Sequence, residues 1–141
     1  MRATKYLAMQ TSLRLPVICL ICAVFISRFA FAEELTNDDK YFLAGYEKMR
    51  AALAADDLVK ANEAAAELTS AGFEVPKSET LERARVAFAN ASDIAIKAAA
   101  GHPGYYVVHC PMLNKDWVQT SKTISNPYGG KDMVSCGEIK K

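Results

Sequence analysis

The amino-acid sequence predicts an α+β fold: an N-terminal three-helix bundle followed by a small, turn-rich, β-containing lobe. Three observations carry this. Apolar residues recur at helical spacing in three separate capped segments between residues 36 and 100. The same region is rich in alanine, with eighteen between residues 33 and 100, which favours helix and lets helices approach closely. After His102-Pro103-Gly104 the composition changes to β-branched and aromatic residues punctuated by Pro and Gly.

The first thirty-two residues read as a secretory signal. Arg2, Lys5 and Arg14 precede an apolar run from Leu15 to Phe25, and Ala30-Phe31-Ala32 has the small-x-small pattern of a signal-peptidase site. Cleavage is expected after Ala32, with export to the periplasm. The run is short for a membrane span, which takes about 20 apolar residues, and Arg28 follows it closely. Cys19 and Cys22 would be discarded with the signal.

Without that segment 13 basic side chains face 16 acidic ones, a net charge of −3. No basic stripe remains, which argues against nucleic acid as a partner. No membrane span is expected in the mature chain. The acidity is concentrated in residues 33–101, the helical part, whereas residues 102–141 are mildly basic.

The helices read in order. Thr36 is the expected N-cap of the first, with Asp38 and Asp39 in the first turn and a stripe of Phe42, Tyr46, Met49 and Leu53. Asp56-Asp57 interrupts and caps the second, whose stripe is Leu58, Ala61, Ala65 and Leu68, with Gly72 beyond its end. Phe73 to Lys77 is a loop marked by Pro76. Ser78 is expected to cap the third, which carries Leu81, Phe88, Ala91, Ala95 and Ala98 and stops at Gly101 and Pro103. In the tail, Tyr105–His109 is a strand candidate that ends at Pro111, which has no N–H for a ladder. Trp117–Thr120 and Val134–Ile139 are further candidates, and Asn126-Pro127 and Gly129-Gly130 mark turns.

The chemistry is concentrated in this tail. Cys110 and Cys136 supply two thiols, Met112 and Met133 two thioethers, all soft donors of the kind that select Cu(I). In an extended strand Cys110 and Met112 would share a face, with His109 opposite. Met133 and Cys136 would converge if their segment turns. Trp117 could cover a cation with its indole face. His109 and Trp117 are therefore second choices for the metal set. An alternative stands beside this reading. Exported chains with two cysteines commonly pair them, and a Cys110–Cys136 disulfide would contribute about 3.5 kcal/mol in the chain-entropy model. The methionines and Trp117 would then be packing residues. No enzyme signature is present. A cysteine nucleophile needs a base within reach, and His109 would point away from Cys110. Neither a phosphate-binding Gly-rich loop nor an HExxH helix occurs.

His109-Cys110-Pro111-Met112, Trp117, Asn126-Pro127-Tyr128-Gly129, Met133 and Cys136-Gly137 together resemble the signature of a bacterial family, domain of unknown function 3347. Arg85, Phe88 and Ser92 are similar to that family's last helix. The helical part is shorter than in the longer members. Such domains occur as secreted proteins and beside periplasmic adaptor subunits of heavy-metal efflux pumps. The resemblance implies a helical region with this tail, copper or silver handling by association, and an efflux adaptor as partner. The functional expectation is a periplasmic Cu(I)/Ag(I)-binding protein for metal resistance or delivery to an efflux system. The alternative is a disulfide-stapled interaction module without metal chemistry.

Overall fold

The computed structural model describes residues 34–140; the signal segment expected at residues 1–32 lies outside them. Helix α1 spans Asn37–Ala54, α2 Leu58–Ser70 and α3 Leu81–Ala98. Three short strands follow: β1 (Tyr106–Cys110), β2 (Lys115–Gln119) and β3 (Glu138–Ile139), with a 3-10 turn at Gly130–Met133. The architecture is α+β, and the helices precede the sheet. Among the described residues no helix is long and apolar enough to cross a membrane.

Each helix begins where a side chain can take an unpaired backbone N–H. Thr36 accepts from Asp39 N at 3.1 Å, Asp57 from Lys60 N at 3.0 Å, and Thr80 from Arg83 N at 3.3 Å. The third cap is thus Thr80 and not Ser78. Ser78 is engaged elsewhere: its N–H donates to Asn62 Oδ1 (2.8 Å) and its carbonyl accepts from Asn62 Nδ2 (2.9 Å). That pair ties the 71–80 connection to α2, and the helix starts after it.

The α1 stripe is fully internal. Phe42, Tyr46, Met49 and Leu53 are buried, as are Ala61, Ala65 and Leu68 of α2 and Phe88, Ala91 and Ala95 of α3. The alanines do what their size permits: they bring the helix backbones close and leave the bulk to the aromatics. A chain of rings crosses the core. Phe73 packs on Phe42 at 4.4 Å between centroids, and Phe42 lies 6.1 Å from Tyr46. Tyr46 stacks on Phe88 at 4.7 Å, Phe88 meets Tyr128 at 5.6 Å, and Tyr128 meets Trp117 edge-on at 6.2 Å. The last two rings belong to the tail, so bundle and lobe share one core.

The sheet is antiparallel with order β2-β1-β3. Tyr106 pairs with Gln119 and Cys110 with Lys115, and His109 faces Asp116 on one side and Glu138 on the other. Alternation puts Val108 and Cys110 on the buried face and His109 on the other. The β1–β2 hairpin turns through Pro111–Asn114, with Asn114 in the left-handed region (φ 49°), which Asn tolerates well. Most of the third strand candidate is a turn, and only Glu138–Ile139 pairs. The reason lies just upstream, where Asn126 N donates to Val134 O and Cys136 N to Met133 O. Those bonds fold the 126–136 segment on itself.

Candidate metal centre

Cys110 and Cys136 come from opposite ends of the lobe. Cys110 ends β1 on its buried face, and Cys136 follows the 3-10 turn and immediately precedes Gly137. Cys110 is fully buried and Cys136 half-buried. Both are free thiols, and their side chains stand beside each other. Gly137 follows Cys136 in a tightly packed place. Its backbone (φ 154°) lies against Trp117, Val108 and Ile124, where an added Cβ would sit 2.8 Å from the Trp117 ring and the Val108 methyl and 3.2 Å from the Ile124 methyl.

The surroundings of Cys110 favour its charged form. Burial alone would push the thiol up. The Cys136 thiol, the N–H groups of Leu113 and Met112, and the Asn126 side chain outweigh that and hold Cys110 below the ordinary thiol range. Cys136 moves the other way. The neighbouring Cys110 comes first, followed by burial, and together they raise it. Within the pair, Cys110 is the sulfur whose surroundings favour the charged form. The turn after Pro111 brings the Met112 and Leu113 backbone beside the Cys110 sulfur.

The same turn corrects the strand geometry expected for Cys110 and Met112. Because β1 ends at Cys110, the two do not share a face, and the Met112 side chain is 77% exposed. Met133 is partly buried, packs against the core, and sits one turn before Cys136, to which it is tied by its carbonyl. Trp117 is fully buried, and its Nε1 donates to Gln119 Oε1 at 3.0 Å. It is a core residue and not an open lid. His109 lies on the opposite side of the sheet with Nδ1 2.7 Å from Asp116 Oδ1. Lys140 Nζ donates to the other Asp116 oxygen at 2.6 Å. Burial works against the Asp116 charge, but the Lys140 and His109 bonds outweigh it and hold the carboxyl below its usual range. The structure thus brings Cys110 and Cys136 together, sets Met133 beside them in sequence and Met112 at the surface, and separates His109. Among the described residues, no three His, Cys, Asp or Glu side chains group as a metal site.

Residues that the sequence marked only as turn or helix positions complete the site. Asn126 is fully buried: Oδ1 accepts from Tyr128 N (2.9 Å) and Gly129 N (3.0 Å), and Nδ2 donates to Cys136 O (2.9 Å). Two arginines grip the carbonyls on either side of it. Arg50 of α1 donates from Nη1 to Ser125 O (2.8 Å) while its other nitrogens hold Glu47. Arg85 of α3 donates from Nε to Pro127 O (2.9 Å) and from Nη2 to Asp56 Oδ1 (2.5 Å). Asp56 also accepts from Lys131 N at 3.0 Å. That bond, with Arg85 as a further cause, holds its carboxyl below the usual range against a burial cost. Gly130 lies directly on this pair with φ 56°, and a Cβ there would collide with the Asp56 carboxylate. The signal for Asn126 was its Asx-turn chemistry; its reach to the cysteines left no mark in the sequence.

No family model, curated protein or solved structure matches this chain.

Proposed function

We propose that this chain is an exported binding protein for a soft monovalent metal ion, Cu(I) or Ag(I), and not an enzyme. Its role would be metal resistance or delivery to an efflux system, with a periplasmic efflux adaptor as partner. The observation that carries the reading is the Cys110–Cys136 pair, two free thiols brought together from distant parts of the lobe, with surroundings that favour the charged form of Cys110. Thiolates are the metal-binding form of cysteine, and N–H donors offset their charge in a buried setting. Cu(I) or Ag(I) would take the two sulfurs, with the thioethers of Met133 and Met112 as soft donors at the edge. The resemblance of the CPM, NPYG and MxxCG segments to domain of unknown function 3347 supports the same reading. The contact between two cysteines far apart in sequence also favours the second reading, a Cys110–Cys136 disulfide stapling an interaction module.

A Cu(I) competition titration of the reduced protein separates the two. Cys110→Ser with Cys136→Ser should abolish tight binding. Met112→Leu with Met133→Leu conserves volume and should cost under ~1.5 kcal/mol of stability, while weakening Cu(I) binding severalfold. Unchanged affinity in the methionine variant would make the thioethers packing residues. A protein that takes up no Cu(I) after full reduction would leave the stapled module as the reading.

A further inference from the structure

Asn126 does more than close a turn. Among the described residues it is one of four buried polar side chains, and each of its polar atoms has work. Oδ1 caps the Asn-Pro-Tyr-Gly turn through Tyr128 N and Gly129 N. Nδ2 donates to the Cys136 carbonyl at 2.9 Å, and the same side chain lies near enough to Cys110 to favour its charged form. One carboxamide therefore stands beside both halves of the thiol pair, which come from β1 and from the far side of the 3-10 turn. Its own place is set by the bundle, because Arg50 and Arg85 hold the carbonyls of Ser125 and Pro127 on its two sides. Helices α1 and α3 thus reach the cysteines through a single side chain.

We propose that Asn126 is a positioning residue for the Cys110–Cys136 pair: through its Nδ2 bond to the Cys136 carbonyl it fixes where Cys136 stands relative to Cys110. The proposal rests on the pair being the working site, as argued above for Cu(I) or Ag(I). It differs from a purely structural role in an observable way. Cutting the Nδ2 bond should change the chemistry of the sulfurs even where the fold survives. Asn126→Asp makes that cut, since it keeps an oxygen for Tyr128 N and Gly129 N and replaces only the donor. Asn126→Ser is a second version, because a hydroxyl caps such turns more weakly and is too short to reach the cysteines.

Two readouts apply to the purified protein. The first is the thiol–disulfide equilibrium of Cys110 and Cys136 against dithiothreitol, which involves no metal. The second is Cu(I) affinity by competition. Folded Asn126→Asp or Asn126→Ser should shift the disulfide equilibrium about tenfold, roughly 30 mV, and lower Cu(I) affinity by at least as much. A lower melting temperature with both constants unchanged overturns the proposal. A shifted disulfide equilibrium in a protein that binds no Cu(I) sinks the metal reading and leaves the role of Asn126 standing. Should neither variant fold, the unmodified protein decides. Its Asn126 side-chain amide protons should move more between the dithiol and disulfide forms than those of Asn37, Asn62, Asn90 and Asn114, and immobile resonances overturn the proposal.

Discussion

Inside the bundle the buried positions of α1, α2 and α3 are filled mainly by Phe, Leu, Met and Ala, whereas the lobe buries side chains that must find hydrogen bonds. The buried polar side chains among the described residues are Arg50, Ser92, Gln119 and Asn126. All four lie in the lobe or bond to it. Arg50 and Ser92 belong to helices, yet they hold Ser125 O and the Tyr128 hydroxyl. A lobe of this size cannot exclude enough apolar surface to specify itself. It is specified instead by directional bonds, several of them from the helices. Buried polar atoms that are all satisfied rigidify a structure, and no buried side-chain N or O atom among the described residues lacks a partner.

The sharpest way to break this contrast is to remove a residue common to both regions. Phe88→Ala takes away the ring between Tyr46 and Tyr128. A loss of about 3–5 kcal/mol is expected, with helix and lobe still melting in one transition. Separate transitions by far-UV and near-UV circular dichroism would show that the two regions do not share a core.

Gln119→Leu tests the polar side alone. Gln119 accepts from Trp117 Nε1 and Ser125 N and donates to Ser121 O and Thr123 O. Leucine fills similar space and leaves the buried Trp117 Nε1 unpaired while freeing three part-buried backbone groups, so a loss of up to about 3 kcal/mol is expected from chemical denaturation. A cost below that of an ordinary surface change would mean that the lobe is held by packing after all.

The smallest effect comes from the clamp between the regions. Asp56 has φ 57°, a conformation that Asn also tolerates, so Asp56→Asn removes the charge without adding backbone strain. The cost should be about 2 kcal/mol near neutral pH, the scale for hydrogen bonds to a charged group. Its pH dependence has a definite sign. The folded carboxyl titrates below its unfolded value of 3.8, so the stabilisation is complete above that value and is lost as pH falls through the folded one. Urea midpoints of wild type and variant should therefore converge below about pH 4. A gap independent of pH would assign the cost to shape and not to charge.

The difference between regions also explains what was legible in the sequence. Helical stripes are local and periodic, so Phe42, Tyr46, Met49 and Leu53 identified α1 and its buried face from spacing alone. The one helix boundary misjudged, Ser78 for Thr80, was decided by Asn62, sixteen residues away. In the lobe nearly everything depends on partners distant in sequence. The strand end at Pro111 was legible because proline lacks an N–H. The outward turn of Met112 follows from that same proline and from the hairpin register. The convergence of Cys110 with Cys136 required the folded 126–136 segment, and the part played by Arg50 and Arg85 required the helices to be in place. Both arginines look like ordinary positions on amphipathic helices until their targets, backbone carbonyls with no side-chain signature, are seen.

Trp117 gives the site an optical consequence. It is the sole tryptophan of the chain, is fully buried, and has its six-membered ring against Gly137, the residue next to Cys136. Tyr128 and, beyond Phe88, Tyr46 extend from it through the core. Tyrosine excitation within this column can pass to the indole, so emission from the protein reports on one place. A heavy ion or a new covalent bond at the neighbouring sulfur would perturb that light directly. The molecule carries a built-in fluorophore beside Gly137, so a change at the adjacent Cys136 can be followed without a label.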